Sequence, residues 1–156
     1  MNKKSRPAKK SPDNKLVVKR LINAPREMVY RAWTEPKLMV QWLSPEDVKC
    51  RSVELHLKVG GAFRIHMVSK KGDHIAVGKY KQIVPNKRLR FTWEWEKYAM
   101  PHSLMTIDFE DLGKRTRVTL IHEGFPDRED LADHKKGWTS ALRKFAGLMK
   151  KGKIKG

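Results

Sequence analysis

Apolar and polar residues alternate through most of residues 48–123, which is the spacing of strands that bury one face of an antiparallel sheet. Turn signals such as Lys71-Gly72-Asp73 divide this region into about six segments joined by hairpin-length connections. A further strand, rich in branched apolar residues, is predicted over residues 15–23. Consecutive strands with short connections form a meander, so we expect six to seven antiparallel strands. The clearest apolar stripes are Phe63, Ile65 and Met67, then Leu89, Phe91, Trp93 and Trp95, then Met105, Ile107 and Phe109.

Helical spacing replaces the alternation at two places in the chain. After the first strand, Pro25 suits the first turn of a short helix, and Thr34-Glu35-Pro36 begins a second one. After residue 123, mostly apolar residues recur every three or four positions. This spacing predicts a long C-terminal helix from about 128 to 150, with Asp127 as its N-cap. The residues that recur at this spacing are Leu131, His134, Trp138, Leu142, Phe145 and Met149.

These elements predict an α+β helix-grip fold, in which a curved antiparallel sheet wraps around the long C-terminal helix. The sheet must bury its apolar face, and the last helix is the only long partner that the pattern provides. A curved sheet cannot touch a straight helix along its whole length, so the gap is either filled by large side chains or left as a cavity. Spacing alone does not decide between these alternatives, although aromatic and methionine side chains suit an adaptable apolar pocket. The residues predicted to face this gap and to bind a ligand there are Phe63, Ile65, Met67, Tyr80, Trp93, Trp95, Met105, Ile107, His122, His134, Trp138 and Leu142.

Positive charge is concentrated at the two ends of the chain. The net charge is +18, and half of it lies in residues 1–15 and 150–156. We expect a disordered basic segment over residues 1–15, a folded domain over 16–150 and a basic C-terminal tail over 151–156. Such ends favour contacts with acidic proteins or weak, non-specific contacts with nucleic acid. No aromatic residue lies among the terminal lysines to stack on bases, so a solvated tail is the favoured interpretation.

Cys50 is the sole cysteine, so no intramolecular disulfide can form, and this favours a reducing compartment. No apolar run reaches the ~18 residues needed to span a bilayer. No apolar segment follows the basic N-terminus, as a secretory signal would require. We therefore expect a cytoplasmic protein without a membrane span, and the sequence leaves open whether it forms a homodimer.

Six histidines are the main candidates for chemistry. None forms a His-x-x-x-His pair, and His66 and His74, which flank a hairpin, are expected to be ordinary exposed residues, so no metal is predicted. His122 and His134 share the spacing of the residues that face the gap. They are candidates either for an acid–base pair or for hydrogen-bonded polar residues at the rim of a pocket, and the second is favoured. No nucleophile elbow, phosphate loop or dinucleotide fingerprint is present, and no cofactor is predicted.

An ordered series of short motifs resembles one protein family. The segment 20–36 is followed by Gly60-Gly61-Ala62-Phe63-Arg64 and Gly78-Lys79-Tyr80. The series continues with Pro85-Asn86-Lys87-Arg88-Leu89, Thr116-Arg117-Val118-Thr119-Leu120, His122-Glu123-Gly124-Phe125 and Gly137-Trp138. This order resembles the homologues of the activator of heat-shock-protein-90 ATPase, within the START-like, birch-pollen-allergen-like (SRPBCC) superfamily. The likeness covers roughly residues 16–149.

The resemblance implies a helix-grip fold with a cavity between the sheet and the long helix. Proteins similar to this one bind hydrophobic small molecules, transport lipids or, less often, act as enzymes. The first expectation is therefore a non-catalytic protein that binds a small hydrophobic or aromatic molecule. Two alternatives remain: a chaperone-associated or stress-response interaction module, and a cyclase- or hydrolase-like enzyme on aromatic substrates.

Overall fold

A computed structural model describes residues 14–156 of the chain and shows eight strands and three helices over this range. The predicted basic segment 1–15 lies outside the described residues, apart from Asn14 and Lys15. The strands are β1 (Lys15–Ile22), β2 (Lys49–Leu55), β3 (Ala62–Ser69), β4 (Gly72–Val84), β5 (Arg88–Thr92), β6 (Glu94–Trp95), β7 (Leu104–Asp111) and β8 (Thr116–Glu123). The helices are α1 (Arg26–Thr34), α2 (Pro36–Met39) and α3 (Arg128–Lys150).

The strands form one curled antiparallel sheet in the order β1-β8-β7-β5-β4-β3-β2, and β6 pairs with β4. From β2 to β8 the chain runs as a meander, because each main strand pairs with the next one along the sequence. β1 forms the opposite edge of the sheet from β2 and pairs with β8 along its whole length. The long helix α3 packs its apolar side into the core that the sheet encloses. The helix-grip fold predicted from the sequence is confirmed.

The inner face of the sheet is built from the stripes that the alternation predicted. On β3 the burial alternates from residue to residue, and both Phe63 and Met67 are buried. The register places Phe91, Met105 and His122 side by side on β5, β7 and β8. A histidine therefore occupies a fully buried position in a row that is otherwise apolar.

Gly78 on β4 permits a close approach between the curled strand and an aromatic cluster. A Cβ atom at this position would overlap the carbonyl oxygen of Thr92 and the ring of Phe63. Only glycine fits such a place without moving the backbone. The ring of Phe63 also lies 5.4 Å from that of Phe91 and 6.1 Å from that of Trp93, measured between centroids.

The tryptophan stripe is divided between two strands. The last residue of β5 is Thr92, and β5 pairs with the second half of β4, whereas β6 pairs with the first half. The apolar stripe from Leu89 to Trp95 is therefore interrupted at Trp93, where the chain passes from one half of the long β4 to the other. Trp93 is buried, and its ring centroid lies 5.0 Å from that of Trp138 on α3.

α3 has the bounds and the N-cap that the sequence predicted. The carboxylate of Asp127 accepts a hydrogen bond from the backbone N–H of Asp130 at 2.9 Å. The C-terminal half of the helix is closely packed, since the rings of Phe145 and Trp42 lie 4.4 Å apart between centroids. In the described part of the chain, no helix is both long and apolar enough to cross a membrane.

Residues 151–156, which the sequence assigned to a basic tail, lie beside α2. Nε2 of Gln41 donates a hydrogen bond to the carbonyl oxygen of Lys155 at 2.8 Å. The backbone N–H of Lys155 donates in turn to Oε1 of Gln41 at 3.0 Å. Ile154 is partly buried against the core. One side-chain amide therefore satisfies both backbone groups of Lys155.

Candidate functional site

A cavity of about 440 Å³ lies between the N-terminal half of α3, the sheet and the segment that follows α2. Sites for small molecules typically measure ~300–1,000 Å³ and have mostly apolar walls. Most of the wall of this outer cavity is apolar. Its lining residues are Leu43, Ser44, Pro45, Val48, Met67, His74, Trp93, Trp95, Asp130, Asp133, His134, Gly137, Trp138 and Ala141.

The outer cavity exists because α3 presents small residues to the sheet at this point. Gly137 and Ala141 are four positions apart, so they lie one above the other on the same side of the helix. Both line the cavity, and neither side chain is long enough to reach across it. One and two turns further along, Phe145 and Met149 are large and buried, and the interface there is filled. The change from small to large residues along one helix sets where the cavity ends.

A second, inner cavity of about 20 Å³ adjoins the first. It has room for about one water molecule or one oxygen atom, since a buried water needs ~10–15 Å³ of such space. Three residues, Leu43, Trp93 and Trp138, line both cavities and separate them. The full lining of the inner cavity is Trp33, Met39, Leu43, Phe63, Ile65, Tyr80, Phe91, Trp93 and Trp138.

Two of the tryptophans that line the inner cavity have buried N–H groups without a hydrogen-bond partner. Among the described residues, the buried side-chain nitrogens without a partner are Nε of Arg26 and Nε1 of Trp33 and Trp93. A buried donor left unpaired costs about 1–3 kcal/mol of folding free energy. An oxygen acceptor within reach of either N–H group would remove that cost.

His134 lies on α3 at the wall of the outer cavity. Its Nδ1 is 2.7 Å from the carbonyl oxygen of Asp130, and its Nε2 accepts a hydrogen bond from Nε1 of Trp95 at 3.1 Å. The carbonyl can only accept and the indole can only donate, so the proton of the neutral imidazole is on Nδ1. Burial lowers the pKa of His134 below its ordinary value of 6.5, while the carbonyl of Asp130 opposes that shift.

His122 on β8 is fully buried behind the wall of the outer cavity. Its Nδ1 accepts a hydrogen bond from Nε1 of Trp138 at 3.2 Å, and its Nε2 lies 2.6 Å from Oγ of Ser103. Because Nδ1 must accept, the proton of the neutral imidazole is on Nε2 and is donated to Ser103. Burial lowers the pKa of His122 well below 6.5, and the nearby imidazole of His134 acts in the same direction. Both histidines are thus neutral hydrogen-bonding residues at neutral pH.

Lys144 fixes the segment that forms the rim of the outer cavity opposite the sheet. Its Nζ donates to Oγ of Ser44 at 3.0 Å and to the carbonyl oxygen of Pro45 at 3.2 Å. Burial lowers the pKa of Lys144. Cys50 lies nearby, and burial raises the pKa of its thiol to about 11, so the thiol is not activated as a nucleophile.

The structure divides the twelve predicted ligand-binding residues into three sets. Five line the outer cavity, three line only the inner cavity, and four are core residues that line neither of them. The first set is Met67, Trp93, Trp95, His134 and Trp138; the second is Phe63, Ile65 and Tyr80; the third is Met105, Ile107, His122 and Leu142. The third set lies deeper than predicted, since all four residues are fully buried in the core.

The sequence prediction missed the side of the outer cavity opposite the sheet. The segment after α2 contributes Leu43, Ser44, Pro45 and Val48, which belong to no regular element and carry no periodic signal. Gly137 and Ala141 were also missed, although two small residues four positions apart in a buried helical stripe indicate a gap. The polar residues Asp130 and Asp133 line the cavity beside them.

The histidines at and behind the outer cavity are engaged in hydrogen bonds within the protein. Each imidazole nitrogen of His122 and His134 already has a hydrogen-bond partner, so neither ring has a site ready to exchange a proton with a ligand. His66 and His74, at the β3–β4 hairpin, contact Asp73 and Ser69. Among the described residues, no group of three or more His, Cys, Asp or Glu side chains is placed to hold a metal ion.

A comparison with protein-family models identifies the family of this chain. The family model described as "Activator of Hsp90 ATPase homolog 1-like protein" matches residues 23–150. The chain belongs to this family. The resemblance predicted from the ordered motifs of the AHSA1-like family is therefore confirmed. A search of curated proteins gave no significant match.

Solved structures similar to this AHSA1-like chain share its fold over most of its length. A protein of Chromobacterium violaceum is 29% identical, with a TM-score of 0.76 over 87% of this chain and 96% of its own. The AHSA1 protein of Silicibacter pomeroyi is 24% identical, with a TM-score of 0.76 over 88% of this chain and 99% of its own. DynU16, a protein of the dynemicin biosynthetic locus, is 21% identical, with a TM-score of 0.76 over 92% of this chain and 49% of its own. Likeness at these identities shows a shared fold.

Proposed function

We propose that this AHSA1-like protein is a non-catalytic binding protein for a small hydrophobic or aromatic molecule, which occupies the outer cavity. The observation that carries the proposal is a cavity of about 440 Å³ with mostly apolar walls, placed where the fold brings the sheet and α3 together. Trp93, Trp95 and Trp138 form an aromatic side of the cavity that suits a planar ligand. The helix-grip fold is also commonly a ligand-binding fold.

The polar residues of the outer cavity would orient a ligand rather than react with it. Asp130, Asp133, His74 and His134 line the cavity together with its apolar residues. His134 is held by Trp95 and by the carbonyl of Asp130, so it provides a fixed polar edge. A ligand with an apolar body and a small polar group therefore fits this wall better than a charged or strongly hydrated one.

The test is a titration of intrinsic tryptophan fluorescence with a panel of polycyclic aromatic compounds and medium-chain fatty alcohols. We expect a saturable change with one site per chain for at least one of these classes. Gly137→Leu places a side chain in the outer cavity and should abolish that change. Gly147→Leu is the matched control, because it lies in the same helix and its Cβ direction is open. Equal binding by the two variants would contradict the proposal.

A second candidate function is association with acidic partner proteins through the basic surface. The net charge of +18 and the description of the family as activator homologues favour it. This association should weaken steeply between 50 mM and 300 mM salt and should survive Gly137→Leu. Binding that is insensitive to salt but lost in Gly137→Leu would favour the small-molecule proposal instead.

A further inference from the structure

The five tryptophans of the chain differ in whether their N–H groups are paired. Nε1 of Trp42 donates to the carbonyl oxygen of Ala32 at 2.9 Å. The N–H groups of Trp95 and Trp138 donate to His134 and His122, as described above. The two remaining N–H groups, on Trp33 and Trp93, are buried without a partner, and both tryptophans line the inner cavity.

The inner cavity is otherwise almost wholly apolar. Its other walls come from Met39, Leu43, Phe63, Ile65 and Phe91, together with Trp138 and with Tyr80, whose hydroxyl can both donate and accept. None of the apolar side chains offers an acceptor, and Nε1 of Trp138 is already committed to His122. The inner cavity therefore has more hydrogen-bond donors than acceptors, and its volume of about 20 Å³ admits one oxygen atom.

We propose that the inner cavity is an acceptor subsite that takes the oxygen of a carbonyl group at one end of the ligand. This inference rests on the proposed function, because the apolar body of the same ligand would lie in the outer cavity. Leu43, Trp93 and Trp138 line both cavities, so a group that passes between these side chains enters the inner one. A carbonyl oxygen accepts two hydrogen bonds and donates none, which matches two unpaired donors.

The subsite also selects against two other ligand classes. A carboxylate would bring a full charge into an apolar space without a counter-ion, which is strongly unfavourable. A hydrocarbon would leave both indole N–H groups unpaired. The ligand class that fits is thus an aromatic or alicyclic ketone, aldehyde or ester with its carbonyl at one end.

The experiment compares two probes of nearly the same shape, 2-acetylnaphthalene and 2-isopropenylnaphthalene. The first has a carbonyl oxygen at the position where the second has a methylene group. Affinities are measured by isothermal titration calorimetry. We expect the ketone to bind about tenfold more tightly, as for two buried hydrogen bonds that each contribute a net factor of about three. Trp33→Phe should reduce this preference to about threefold, because Trp33 lines only the inner cavity and its loss removes one of the two donors.

Trp95→Phe is the matched control, since Trp95 lines only the outer cavity and its N–H is paired with His134. It should weaken both probes by the same factor and keep the preference for the ketone. Equal affinity of the two probes for the unmodified protein would overturn the acceptor subsite and leave the proposed function standing. Binding of neither probe, together with no saturable change for any compound of the fluorescence panel, would overturn both.

A bound water is the other source of an oxygen acceptor, and a second measurement separates it from the ligand. In protein labelled with ¹⁵N at the indoles, magnetisation transfer from a bound water to the N–H protons of Trp33 and Trp93 can be followed during titration with the ketone. Loss of any such transfer, with a downfield shift of both N–H protons, supports a ligand oxygen at the subsite. Transfer that persists at saturation assigns the oxygen to water and overturns the proposal.

Discussion

The two halves of α3 differ in how they pack against the sheet: the C-terminal half is closely packed, and the N-terminal half borders a cavity. In the C-terminal half, Phe145 and Met149 are buried, and Phe145 stacks on Trp42 with 4.4 Å between centroids. In the N-terminal half, Gly137 and Ala141 line an open cavity of about 440 Å³. α1 and the segment after α2 fill the C-terminal half, because Trp33 contacts Phe109 on β7 and Trp42 contacts Phe145 on α3.

The difference shows which part of the fold contributes stability through close packing and which part leaves space for a ligand. The filled half contains aromatic rings in edge contact and no histidine in its core. The open half contains both neutral histidines, which tie Trp95 and Trp138 in place by their indole N–H groups. Close packing resists substitution, whereas a polar framework around a cavity holds its shape without filling it.

The largest expected effect tests the filled half. Phe145→Ala removes a ring that is fully buried, and we expect the free energy of unfolding to fall by about 3–5 kcal/mol, from lost apolar burial and a new cavity. Leu131→Ala, near the start of the same helix and only partly buried, should cost about 1 kcal/mol or less. Urea unfolding measures both. Equal losses would show that the two halves of α3 are packed alike.

A matched pair of Trp→Phe substitutions tests the polar contacts of the two halves. Trp42→Phe leaves the carbonyl of Ala32 unpaired in a fully buried place, and we expect a loss of about 2–3 kcal/mol. Trp95→Phe should cost only about 1 kcal/mol, because Trp95 and His134 are partly exposed and line the outer cavity, where water can replace the lost donor. Thermal unfolding compares them. A larger loss of unfolding free energy for Trp95→Phe than for Trp42→Phe would contradict the assignment of the C-terminal half as the more closely packed one.

Acid pH should weaken the open half through its two histidines. Burial lowers the pKa of His122 and His134 in the folded protein, so below about 6.5 the unfolded chain binds protons that the folded chain does not. Stability is therefore full above pH 6.5 and falls as the pH decreases below it, by up to about 1.4 kcal/mol per pH unit for each histidine.

Urea unfolding between pH 7.5 and 5 measures this slope. His134→Gln, which cannot be protonated, should make it shallower while Asp130 and Asp133 remain in place. An unchanged slope in that variant would mean that the pKa of His134 does not differ between the folded and unfolded states, and would contradict its lowering by burial.

The smallest effect is a gain of stability at two glycines of α3. Alanine favours a helix over glycine by about 0.5–1 kcal/mol. At Gly137 a Cβ atom would lie 3.6 Å from Cγ of Pro45, an ordinary contact, and at Gly147 it would meet open space. Both Gly→Ala variants should therefore raise the unfolding midpoint by a similar amount, and only Gly137→Ala should alter ligand affinity. A destabilised Gly137→Ala would show that the cavity wall is tighter than the structure indicates.

The fold could be predicted from the sequence because its signals are local and repeated. Alternation specified the strands, and the spacing of Trp138, Leu142 and Phe145 specified the buried side of α3. The division of the strand at Trp93 could not be predicted, since it depends on how the long β4 shares its two halves between β5 and β6. A curl of this kind is set by pairing across the sheet.

The walls of the site were only partly predictable for a related reason. Spacing shows which residues face inward, and Met67, Trp95 and His134 do so at the outer cavity. It does not show how far across the core each position lies, so Met105 and Leu142 were placed at the cavity although they are packed in the core. The depth of a position depends on elements that are distant in sequence.

The turn after β6 is tied to α3 by side chains alone, and this has a kinetic consequence. The hydroxyl of Tyr98 donates to the carboxylate of Asp130, and one turn later His134 receives the N–H of Trp95. Asp130, His134 and Trp95 line the outer cavity, whereas Tyr98 does not. We therefore expect Tyr98→Phe to raise the association and dissociation rate constants of a ligand of the outer cavity together. Its dissociation constant should change little, and stopped-flow tryptophan fluorescence would measure both rate constants.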